Sequence, residues 1–69
     1  MTQYEEIFET LNLFIEDRAF HYNDTKDIES LQEKKVAQCL KATVAMLYTS
    51  LEDSEQSAMI HDIHHMLCK

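Results

Sequence analysis

Apolar residues recur along this chain at helical rather than strand spacing. Tyr4, Ile7, Phe8, Leu11, Phe14, Ile15 and Ala19 return every three or four positions, which places them on one face of a helix. Thr2 followed by Glu5 reads as a capping box, so a first helix is predicted from about residue 3 to about residue 21. Its opposite face carries the carboxylates Glu5, Glu6, Glu9, Glu16 and Asp17. Tyr22-Asn23-Asp24-Thr25 interrupts the pattern with residues that bond their own backbone, and Asp24 or Thr25 is the expected cap of a second helix.

That second helix is predicted over about residues 25–51, with Ile28, Leu31, Val36, Cys39, Leu40, Thr43, Leu47 and Leu51 on one irregular stripe. Ala37, Val44 and Tyr48 flank it. From Gln38 to Leu51 the only charge is Lys41, and apolar surface lies on more than one side. Helix 2 is therefore expected to sit between two neighbours. Glu52-Asp53-Ser54 forms the next break, with Asp53 or Ser54 as cap, and a third helix is predicted over about residues 54–67. Ala58, Met59, Ile60, Ile63, Met66 and Leu67 should face inward. Short polar connections make neighbouring helices antiparallel, so the expectation is an all-α fold, either an up-down-up three-helix bundle or a long helical hairpin.

Composition strengthens that expectation. The 69 residues include no glycine and no proline, which removes the usual material of hairpins and tight turns. A chain this short buries a small core, and small cores are commonly completed by a second subunit. A homodimer is expected, forming a larger helical bundle with residues 46–51 in its interface. The surplus of apolar residues assigns Tyr4, Phe8, Leu11, Phe14, Val44, Leu47, Tyr48 and Leu51 to a partner or dimer interface, rimmed by Glu5, Glu6, Glu9, Glu16 and Asp17.

Charge narrows the partners. Six Lys and Arg against 13 Asp and Glu leave a net charge of −7, the wrong sign for neutralising phosphates or anionic membrane surfaces. A basic protein partner fits, and direct nucleic-acid or membrane binding does not. The lysines Lys26, Lys34, Lys35 and Lys41 are interleaved with Glu29 and Glu33 and make no reading helix for DNA. The first residues show neither a basic n-region nor an apolar core, and a cytoplasmic location, in the protein's own cell or a host cell, is expected.

One cluster has the chemistry of metal ligands: His61, His64, His65 and Cys68, in the string HDIHHMLC. His61 with His65, and His64 with Cys68, lie one turn apart, but no other segment supplies further ligands, so no metal and no cofactor is assigned. A His/Cys metal-binding module stays as an alternative, as does an acidic mimic of nucleic acid that blocks a nucleic-acid-binding protein. Catalytic patterns are lacking, since there is no glycine-rich phosphate loop and no serine elbow, and Cys39 among Ala, Val and Leu reads as a small buried hydrophobe. An enzyme is not expected.

In size, helical layout and acidic first helix the chain is similar to Rop-like hairpins, needle-subunit co-chaperones of type III secretion and phage-encoded inhibitors of host proteins. The likeness is one of architecture and carries no residue role. The function expected is that of a small acidic helical protein, phage- or secretion-system-encoded, that binds and modulates a protein partner as adaptor, inhibitor or dedicated chaperone.

Overall fold

Thr2 starts the first helix as its sequence implies: the Thr2 hydroxyl accepts the Glu5 backbone N–H at 3.2 Å and donates to the Glu5 carboxylate at 3.0 Å. The computed structural model describes residues 2–68. They form an all-α three-helix bundle of α1 (Gln3–Thr25), α2 (Ile28–Ser50) and α3 (Asp53–Leu67). Each connection is two residues long, which leaves no room for anything but an up-down-up order. None of these helices is long and apolar enough to cross a membrane.

Helix α1 continues past the break expected at residues 22–25. Thr25 tolerates the helix by donating its hydroxyl to the His21 carbonyl at 2.9 Å, so its polar side chain satisfies itself inside the last turn. The chain instead reverses at Lys26, whose backbone is left-handed (φ 58°, ψ 30°) while its N–H donates to the Tyr22 carbonyl at 2.7 Å. Glycine usually takes such a position. The chain has none, and a lysine takes it. Asp27 then caps α2, accepting the Glu29 N–H at 3.1 Å and the Ser30 hydroxyl at 3.3 Å.

At the other end Glu52 occupies the cap of α3 without a side-chain bond. Gln56 bridges the junction instead, its amide donating to the Tyr48 carbonyl at 2.6 Å, one of the carbonyls the end of α2 leaves unpaired.

The expectation that α2 lies between its neighbours is corrected by the packing. Helix α1 packs along α2 and also receives α3, whereas α2 and α3 scarcely touch. The reason lies in where the buried side chains point. Ile7, Leu11, Val44 and Ile60 form the core, with Tyr4, Phe8, Tyr48, Met59 and Ile63 packed against it. Only Val44 of these buried four comes from α2, while α1 contributes two. Tyr4 stacks at 4.7 Å on Phe8 and 4.3 Å on Tyr48, so aromatic contacts tie the start of α1 to the end of α2.

The consequence is an elongated molecule. Its Cα extents are 43 × 21 × 16 Å and its radius of gyration is 13.4 Å. A compact chain of this length would have a radius near 11 Å. The core occupies the end where three helices coexist, and the other end is a two-helix hairpin.

Candidate interaction groove

Helix α3 ends beside Thr10 of α1, and α1 runs on from there to Thr25, so the hairpin extends about 22 Å beyond α3 at 1.5 Å per residue. Above its last residue the seam between α1 and α2 lies open. The space is a groove of about 710 Å³. Thr10, Leu11 and Phe14 of α1 form one wall, and Gln32, Val36, Ala37 and Leu40 of α2 form the other. Leu67 closes the lower end. Phe14 is 40% exposed, Leu40 38% and Val36 67%, so the floor is apolar surface facing solvent.

Glu29 and Glu33, one helical turn apart on α2, complete the lining and make one side of an apolar floor acidic. At the upper end Arg18 lies 5.9 Å over the Phe14 ring. Its guanidinium donates twice to the Asp17 carboxylate, at 3.1 and 2.5 Å, and to the Ser30 hydroxyl at 3.4 Å. The hydrogen bond to Asp17 chiefly raises the Arg18 pKa, with further support from the charges of Asp17, Glu33 and Asp27. Arg18 therefore stands among several carboxylates, and the charged residues that line the groove itself are Glu29 and Glu33.

A second polar cluster joins α1 to α3. His64 Nε2 meets the Glu6 carboxylate, the Thr10 hydroxyl lies 3.3 Å from Cys68 Sγ, and that thiol faces the Glu6 carbonyl at 3.9 Å. These contacts dock the last two turns of α3 beside the groove. They also account for two of the four ligand-type residues: His64 and Cys68 are half-buried in this seam, whereas His61 and His65 are exposed on other sides of α3. Among the described residues no group of three or more His, Cys, Asp or Glu gathers in a way that could hold a metal ion.

Most of the apolar residues assigned to an interface lie elsewhere. Leu11 and Val44 are buried, and Tyr4, Phe8 and Tyr48 are half-buried against the core. Leu51 is half-buried at the α2–α3 junction. Of that set Phe14 and Leu47 are exposed, and Leu11 and Phe14 line the groove. On the acidic face Glu5, Glu9, Glu16 and Asp17 are exposed, Asp17 being held by Arg18, and Glu6 is paired with His64. Cys39, read as a buried hydrophobe, is exposed.

Sequence reasoning missed Glu29, Glu33, Val36, Leu40 and Leu67 as members of one surface. The signal was present in the spacing, since positions 29, 33, 36 and 40 share one face of a helix. Their apolar members were assigned to the core because nothing local says that α3 stops short of them. No family model, curated protein or solved structure matches this chain.

Proposed function

We propose that this chain is a small acidic binding protein that engages and modulates a protein partner through the open end of its three-helix bundle. The observation that carries the reading is the groove itself: an apolar floor of Phe14, Val36, Leu40 and Leu67, unfilled by the chain's own third helix and walled by Glu29 and Glu33. Apolar surface bordered by charge is characteristic of sites where proteins meet. With few fully buried apolar side chains, the fold also stands to gain stability from whatever covers this surface.

A photo-crosslinking residue in place of Val36 tests the reading in the cells that make the chain. The expected result is a discrete adduct with one protein, lost when Leu40→Asp is added, with far-ultraviolet circular dichroism showing that the variant keeps its helices. The same probe at Leu13, exposed but outside the groove, should not give that adduct. An adduct equally strong from Leu13, or none from Val36, removes the groove from function.

A further inference from the structure

We infer that the occupant of the groove is a basic amphipathic helix of about three turns, carrying two cations one turn apart that pair with Glu29 and Glu33. The inference rests on the partner-binding reading and adds the chemistry of the partner.

Geometry selects a helix. The groove begins at Leu67, where α3 ends, and runs between one wall from α1 and one from α2, the kind of seam between two helices on which a third helix packs. Phe14, Val36, Leu40 and Leu67 form the floor. Such a floor is matched by apolar residues repeating every three or four positions, the usual way a helix is held in a groove.

Electrostatics selects a basic one. Covering the floor removes water from the sides of Glu29 and Glu33, and a carboxylate so covered is costly unless a cation or donor replaces the water. Arg18 feels the charge of Glu33 but directs its hydrogen bonds to Asp17 and Ser30, so it does not replace that water. A neutral or acidic helix would leave both carboxylates without a hydrogen-bonding partner, and lysines or arginines at matching spacing would meet them. The same argument disfavours a second copy of this chain as occupant. It would bring a net charge of −7, and its own Glu29 and Glu33, toward a surface that is already negative.

Fluorescence anisotropy with labelled peptides of about fourteen residues provides the test, since that length spans the groove with a turn to spare. One peptide places leucines on a helical stripe flanked by lysines, a second has the same composition shuffled, and a third replaces each lysine by glutamate. The leucine-lysine helix should bind the full chain saturably, about tenfold or more tighter than the shuffled peptide, and the glutamate peptide should not bind. E29Q/E33Q should weaken binding about tenfold at low salt and flatten its salt dependence. Val36→Asp, at a position exposed enough to leave folding intact, should weaken it by about tenfold or more, and Leu13→Asp should change nothing.

Equal binding of the shuffled peptide, or affinity unchanged in E29Q/E33Q, overturns the inference. So does light scattering that shows a dimer dissociated by Val36→Asp, which assigns the groove to a second copy. The two levels fail separately: a Val36 crosslink with no preference for the leucine-lysine helix removes the basic helix and keeps the groove, whereas no crosslink removes both.

Discussion

Lys26 and Asp27 make the reversal between α1 and α2, and they do so under opposite local energetics. Lys26 holds a left-handed backbone that costs a residue with a Cβ about 1 kcal/mol relative to glycine. Replacing it by glycine should raise stability by roughly 0.5–1 kcal/mol in urea unfolding, and a loss instead would mean that its contact with the Tyr22 ring, at 5.4 Å, outweighs the backbone. Asp27→Ala should lower stability by about 1–2 kcal/mol, since one carboxylate caps Glu29 and holds the hydroxyl of the fully buried Ser30. An unchanged midpoint would show that the cap is dispensable. A break near this point was legible, but it was read at residues 22–25, which stay helical, rather than at Lys26 and Asp27, and its exact cap was not legible. Asp24, Thr25 and Asp27 are all good capping residues, and only the Thr25 bond to His21 and the Lys26 conformation decide among them.

At the scale of elements, α3 is attached by little. Ile60 is its only buried residue, supported by Met59 and Ile63 and by the Glu6–His64 and Thr10–Cys68 contacts. Ile60→Ala should therefore cost about 2–4 kcal/mol and release α3 first, so that amides of α3 exchange with solvent faster than those of α1. Met66→Ala, at a residue 67% exposed, should stay within about 0.5 kcal/mol of the parent. If both substitutions cost the same, the packing described for α3 is wrong. Periodicity was enough to find three helices because each has a run of apolar residues at helical spacing. It was not enough to order them in space. The second half of α2 is the most apolar stretch of the chain, yet Met46 and Leu47 are exposed, because helix packing depends on which side chains meet a neighbour rather than on how many are apolar. The groove was illegible for the same reason: it exists through the difference in length between α3 and the hairpin, a relation between distant segments.

The whole molecule is an elongated bundle with its core at one end, an open apolar groove at the other and a net charge of −7. Self-repulsion among those charges opposes folding, so raising sodium chloride from about 0.02 to about 0.5 M should increase the melting temperature by a few degrees. A decrease would mean that attractive ion pairs outweigh repulsion. The same balance makes binding of a basic helix stabilising twice over, through burial of the floor and neutralisation of its acidic wall. The most direct test of the central claim follows amide and methyl chemical shifts of the full chain during titration with the leucine-lysine helix. Shifts concentrated at Phe14, Val36, Leu40 and Leu67, with Leu13 and Phe20 unmoved, are the predicted result. Shifts spread along the exposed carboxylates of α1, with the groove residues silent, would contradict it.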